Sequence, residues 1–291
     1  MKKKSFLLFA VLAVLFVSCS SNTENNTCEI KSDFSRMQLA GVLHNKTMNS
    51  VFNKIKSENN LIPTGDYEVM LDSIARLTKY SFDYECDSTQ KSSMHNQYKN
   101  FLNSSAFYNK IVAHKNISRG ENDVDYIIEN MRNASNSEYI NLDSLVSVDE
   151  MLYALETKKI FPSKAVAIIR DIHDVICRSS EGTISDAEFK RRIDGAWEEF
   201  DAANFDENSR EGLCVSAILY VTQASFEWWK EHQYEMPLEG KVAPWVALDS
   251  AGAVAGGVFH CVRNWNNRLQ WKDLAIDCAE GAVCASIGKF F

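Results

Sequence analysis

The chain is poor in the residues that strands and tight turns require. Only four prolines and twelve glycines occur in 291 residues, and no extended run of strict polar and apolar alternation is closed by Gly or Asn turns. A β-sandwich or barrel is therefore excluded as a reading. Positive charge is also short: the formal net charge is -8, and no basic patch is interleaved with aromatics. A nucleic acid is consequently a poor partner. No Cys-x-x-Cys pair and no knotted disulfide spacing is present. No cofactor or metal is implied.

The N-terminus carries the clearest signal. Lys2, Lys3 and Lys4 are followed by twelve consecutive apolar residues, Phe6 to Val17, which matches the basic and apolar regions of an export signal. A membrane-spanning helix needs about twenty apolar residues, and this run stops short at Ser18-Cys19. Phe16-Val17-Ser18-Cys19 resembles the lipobox of bacterial lipoproteins, which implies cleavage after residue 18 and acylation of Cys19 with palmitate-type chains. The common form has Leu where Phe16 stands and Ala or Gly where Ser18 stands. Cleavage would remove three lysines and no acid, taking the formal charge from -8 to -11. Attachment to the membrane would then rest on the acyl chains alone. The expected address is the cell envelope, lipid-anchored at the outer membrane.

Residues 19–32 read as a flexible polar tether, 33–160 as an N-terminal helical half, and 161–291 as a C-terminal half packed with it as one domain. The expected class is an all-α multi-helix bundle. Amphipathic segments fall at Met48 to Ser57, Tyr67 to Tyr80, Tyr98 to His114 and Val124 to Met131. Ser147-x-x-Glu150 and Ser185-x-x-Glu188 are capping boxes that open further helices. The segment Leu213 to Trp229 is apolar almost all round and is expected to be central. Pro237 and Pro244 bracket an expected turn.

Two small-residue segments follow, Leu248 to Val254 and Ile276 to Val283, each with an apolar-Asp start, a Gly-Ala-Val core and a tryptophan upstream. They read as a helical hairpin in which Gly252, Ala253 and Gly256 face Gly281, Ala282 and Ala285. Buried acids at bilayer depth cost on the order of 3 kcal/mol each, so Asp249, Asp277 and Glu280 favour a packed soluble hairpin over a bacteriocin-like pore. Both aspartates are expected near helix N-termini, where the dipole suits them.

Three elements, Gly41-Val42-Leu43-His44-Asn45, Ser225-Phe226-Glu227-Trp228-Trp229 and Asp249-Ser250-Ala251-Gly252-Ala253, together resemble a group of uncharacterised Bacteroides-type exported proteins. That group carries G-x-x-H-N, S-x-x-Y/W-W and D-x-x-G-A in this order. The resemblance brings no activity with it. His44 beside Asn45 is the most suggestive pair for general-base chemistry, but no nucleophile is identifiable, and Asn45 reads as a helix N-cap. His173 and Cys177, four apart with Asp174 adjacent, have admissible zinc-ligand spacing, yet no second ligand pair accompanies them. Glu227, Glu231 and His232 lack the Glu-x-x-His pairing of a di-iron bundle. Trp228 and Trp229 fit a core and rim role, with a sugar or lipid floor as the alternative.

Seven cysteines besides Cys19 are Cys28, Cys86, Cys177, Cys214, Cys261, Cys278 and Cys284, an odd number that reads mostly as buried thiols. Asp-Ser/Thr motifs of the kind O-glycosylated in exported Bacteroides proteins occur at Ser73, Ser88, Ser144 and Ser250, of which Ser88 and Ser144 fall in expected loops. The combined expectation is an envelope lipoprotein acting as a non-enzymatic binding or interaction module. The competing expectations are a membrane-active protein and a hydrolase using His44.

If Cys19 is the acylated residue, Cys19→Ala should leave an unacylated precursor or a soluble exported form, and globomycin should make the wild type accumulate uncleaved. Intact-mass spectrometry of the wild-type protein decides this, and a lipid-free soluble mass would refute the anchor.

Overall fold

The computed structural model describes residues 32–57, 121–136, 147–234 and 242–289. These residues are 83% helical, with eight helices and no strand among them, so the fold is all-α. A short 3-10 turn, Ser32–Met37, leads into α1 (Gln38–Ser57). Then come α2 (Glu121–Asn136), α3 (Val148–Thr157), α4 (Ser163–Ser180) and α5 (Asp186–Ala203). The last three are α6 (Arg210–His232), α7 (Ala243–Arg263) and α8 (Trp271–Lys289). The segments Tyr67 to Tyr80 and Tyr98 to His114 and the tether lie outside the described residues, as does Pro237.

Local chemistry sets several boundaries. Ser147 and Glu150 form the complete capping box: the Glu150 amide donates to Ser147 Oγ at 3.3 Å and the Ser147 amide donates to Glu150 Oε2 at 2.7 Å. At α5 only half of the second box forms. Ser185 accepts from the Glu188 amide, while the Glu188 carboxylate turns to Arg191 and Arg192. Asn204, at φ 46°, ends α5 in the left-handed conformation that Asn tolerates. The start of α7 has no cap of its own, and Pro244 sits in its first turn, not in a connecting turn. Asp186, from α5, accepts the amides of Val242 and Ala243 at 3.3 and 2.8 Å and so satisfies two of the orphan donors there.

The innermost helix is α7. It packs against α8, α6, α4 and α2, and nearly every side chain from Ala243 to Val262 is buried. Helix α6, expected to be central, is buried along most of its length but lies to one side of α7. Its N-terminal end holds the turn between α7 and α8, because the Arg210 guanidinium donates to the carbonyls of Cys261 and Asn267 at 3.1 and 3.0 Å. On its outer flank, Trp197 and Phe200 of α5 meet Tyr220 and Phe34 edge to face. The spaced residues of α4, Val166, Ile169, Ile172, His173 and Ile176, all face inward as the periodicity requires.

The hairpin of α7 and α8 is a backbone contact. A Cβ added at Gly252 would lie 2.9 Å from Cα of Ala282, and one added at Gly256 would lie 2.8 Å from the carbonyl carbon of Asp277. Gly281 faces the Gly252 carbonyl in return. The register therefore sets Gly252 against Gly281 and Ala282, and Gly256 against Asp277 and Cys278. Gly41 of α1 makes a third such approach, with Tyr220 O and Ala224 Cβ of α6 each 2.8 Å from where its Cβ would be.

Gly256→Leu should lower stability by about 1 to 3 kcal/mol, the usual cost of overpacking. Gly195→Ala on α5, where an added Cβ meets nothing within 4 Å, should instead stabilise by about 0.5 to 1 kcal/mol through helix propensity. Urea titration of both proteins provides the comparison, and an unchanged midpoint for Gly256→Leu would contradict the packed hairpin.

Candidate functional site

The close approaches just described bring the three sequence elements to one place. Each element pairs a small or aromatic residue with a polar one a single helical turn away, so both point from the same helix face. On α1, Gly41 lets the backbone touch α6 and sets His44 one turn further along. On α7, Gly252 touches α8, and Asp249 is one turn before it. On α6, Ser225 and Trp229 are four apart and face the same partner.

That partner is the Asp249 carboxylate. Ser225 Oγ donates to Asp249 Oδ2 at 2.6 Å and Trp229 Nε1 donates to the same oxygen at 2.8 Å. Ser286 Oγ of α8 donates to Oδ1. His44 Nε2 lies 3.1 Å from Oδ2 but out of line for a hydrogen bond, so this contact is electrostatic in kind. Its other ring nitrogen, Nδ1, is 2.8 Å from Asn45 Oδ1. His44, Ser225, Asp249 and Ser286 are all 0% exposed. Four helices, α1, α6, α7 and α8, meet on one carboxylate.

Three expectations are corrected here. Asn45 is no N-cap, because α1 begins at Gln38 and Asn45 lies inside it. The helix extends further back than the Met48 start because Met37, Ala40 and Leu43 bury themselves against the bundle. Asp249 and Asp277 are seventh in their helices and so lie in the second turn, where the terminal dipole has faded. Side chains from neighbouring helices hold them instead. Trp228 and Trp229 are both core residues, at 3% and 0% exposure, which removes the rim role and the exposed floor together. Trp228 donates to Asn49 Oδ1 at 2.7 Å and stacks on His232.

Ser286 is the member that the sequence reading missed. Its signal was available: once Gly252 is set against Gly281 in an antiparallel pair, the residue facing Asp249 must come from the turn after Gly281.

The geometry is unlike an acyl-transfer triad. In a triad the histidine stands between acid and nucleophile and takes the nucleophile's proton. Here the acid stands between histidine and serine, and Ser225 and Ser286 donate hydrogen bonds to Asp249 directly. A different order appears at α3 and α4. Cys177 Sγ is 3.5 Å from His173 Nε2, and His173 Nδ1 is 3.5 Å from Asp149 Oδ1. That is nucleophile, base and orienter in sequence. The expected neighbour, Asp174, turns instead toward Arg178 and Arg192. Burial, with the carboxylates of Asp149, Asp174 and Glu181 adding to it, pushes the Cys177 thiol up to about 12. Such a thiol is the reverse of an activated nucleophile.

The remaining candidates separate. Glu227 and Glu231 are exposed on α6, and no group of three or more metal-ligating side chains occurs among the described residues. Cys214, Cys261 and Cys278 are buried free thiols, like Cys177. The Cys214 thiol is pushed well up by its hydrogen bond with Cys261 and by burial. Cys28, Cys86, Ser73, Ser88 and Ser144 lie outside the described residues, as does the Cys284 side chain. Ser250 is buried and donates to the Val246 carbonyl at 2.7 Å, which leaves no room for a glycan. Compared with protein-family models, with curated proteins and with solved structures, the chain matches none.

Asp249→Ala would leave Ser225, Trp229 and Ser286 as buried donors with no acceptor, and should destabilise by about 3 to 5 kcal/mol. Ser250→Ala, which removes only a hydrogen bond within α7, should cost about 1 kcal/mol or less. Chemical denaturation of the two variants distinguishes a hub from an ordinary buried residue. Similar costs for both would remove the hub.

Proposed function

We propose that this chain is an envelope lipoprotein, anchored through Cys19, whose helical body is a non-enzymatic binding or interaction module. The observation that carries this reading is the enclosure and order of the Asp249 cluster. Its groups are buried, the acid is saturated by donors, and the one candidate base, His44, faces an acid and an amide but no nucleophile. A polar network of this kind fixes how helices seat on one another, which is a positioning task. The three shared sequence elements support the reading in this chain, since here they supply inter-helix contacts. The partner would be a protein or small molecule meeting the outer surface, with the membrane reached through the lipid.

A membrane-active role is favoured by one observation. By length and composition Ala243–Arg263 could cross a bilayer, and it alone does so among the described residues. Against it stand the burial of that helix within the bundle and the buried Asp249 and Glu280 on the hairpin. The bundle that holds α7 would have to come apart before insertion.

The enzymatic alternative is tested by treating the full chain with a fluorophosphonate and mapping adducts by mass spectrometry. Neither Ser225 nor Ser286 should be labelled under native conditions. An adduct on either, lost in His44→Gln, would establish a hydrolase. Release of dye from liposomes by the native chain would establish the membrane-active reading in its place.

A further inference from the structure

Two carboxyls stand one turn apart on α8 and are treated in opposite ways. Asp277 receives His260 Nδ1 at 2.7 Å and the Arg263 guanidinium on the same oxygen, and its side chain keeps 21% exposure. Glu280 is 3% exposed and its Oε1 has no hydrogen-bond partner among the described residues. An ionised carboxylate left in such a place is far more costly than a neutral acid, because the charge loses its hydration without gaining a counter-ion.

Among the described residues, the groups around it do not supply one. From α7, Arg263 and His260 are both already committed to Asp277. Cys261 of α7, Cys214 of α6 and Cys278 of α8 itself are buried cysteines and bring no cationic group. From α1, His44 is turned to Asp249, and from the 3-10 turn Arg36 lies over the Trp271 ring at the start of the helix. Asp277, of the same sign, is one turn away.

We propose that Glu280 is carried in the folded protein as a neutral acid and that loss of its proton unseats α8, so that the α7 and α8 hairpin is latched by a proton and loosens as pH rises. Burial pushes the Glu280 carboxyl well above the usual carboxylate range, Asp277 pushes it further, and Arg263 only partly opposes them. Asp277 shows the contrast. Burial acts on it in the same direction, but His260 and Arg263 outweigh that and leave it below its ordinary value.

The sign follows from linkage. A folded-state value raised above the unfolded one gives stability that is complete below the unfolded value of about 4.3. It is lost as pH climbs toward the folded value, at up to tenfold in the folding equilibrium per pH unit. Asp277, with a lowered value, works in the other direction: its contribution is present above the unfolded value and is lost only at more acid pH.

The test is urea unfolding of the full chain and of Glu280→Gln at each pH unit from 5 to 9. The folding constant of the variant should gain on the wild type with rising pH, by up to tenfold per unit. A ratio independent of pH overturns the neutral acid. A second measurement needs no variant: in wild-type protein labelled at the glutamate carboxyl carbon, one resonance at pH 7 should sit at the position of a protonated acid, and its absence overturns the proposal. The latch is read by alkylation of Cys278 on α8 against Cys177 on α4 as pH is raised. Cys278 should be modified increasingly ahead of Cys177 in the wild type and not in Glu280→Gln. Equal acceleration at both would mean that the whole bundle opens, and the latch would be wrong.

Discussion

A carboxylate that has been taken out of water must be met by donors, and Asp249 obtains its donors from two other helices. Two come from α6, one from α8, and the imidazole of α1 stands beside them. Because each bond has a narrow range of distance and angle, none of those helices can slide or rotate by a residue without leaving a buried polar group unpaired. Apolar contacts alone would tolerate such shifts, since small side chains such as Ala and Gly present nearly featureless surfaces. The cluster therefore specifies register where the hydrophobic core of α7 and α8 cannot.

The glycines and the carboxylate depend on each other. Ser286 and Asp249 have short side chains, and they meet only because Gly252 and Gly281 allow the α7 and α8 backbones to touch. In the same way His44 reaches Asp249 because Gly41 brings α1 onto the backbone of α6. Enlarging a glycine would thus damage more than local packing: it would withdraw a donor from a buried acid. The two costs fall on the same residues, so double variants combining Gly252 with Asp249 are not expected to be additive.

Much of the fold was legible because it is local. Ser147 and Ser185 announce their helices, and the spacing of Val166, Ile169, Ile172 and Ile176 fixes the buried face of α4. The site was legible only in part. The sequence shows that His44, Trp229 and Asp249 lie in recurring patterns, but Ser286 becomes a member only when the hairpin register is known. Register is a tertiary property of facing helices. Asn45 was misread for a related reason: an Asn before an apolar run suits a cap, and only the burial of Met37, Ala40 and Leu43 carries the helix past it in the N-terminal direction. Asp249 was misplaced because α7 starts earlier, at Ala243 with Pro244 in its first turn, and with a cap borrowed from Asp186 of α5.

The buried histidines obey one rule. His44, His173 and His260 are exposed by 2% or less, and each lies against an aspartate of another helix: Asp249, Asp149 and Asp277 at 3.1, 3.5 and 2.7 Å. The pairs join α1 to α7, α4 to α3 and α7 to α8. Only the His260 pair is a hydrogen bond, through Nδ1; the His44 and His173 nitrogens lie near their aspartates without a hydrogen bond to them. The aspartates differ in how much water they keep, from none at Asp249 to 18% and 21% at Asp149 and Asp277. Of the three, Asp249 alone is shut off from solvent, and it gathers serine and tryptophan donors. The acid that keeps no water is thus the one met by three side-chain donors from neighbouring helices, which is the behaviour expected of a connector built to hold helices in place.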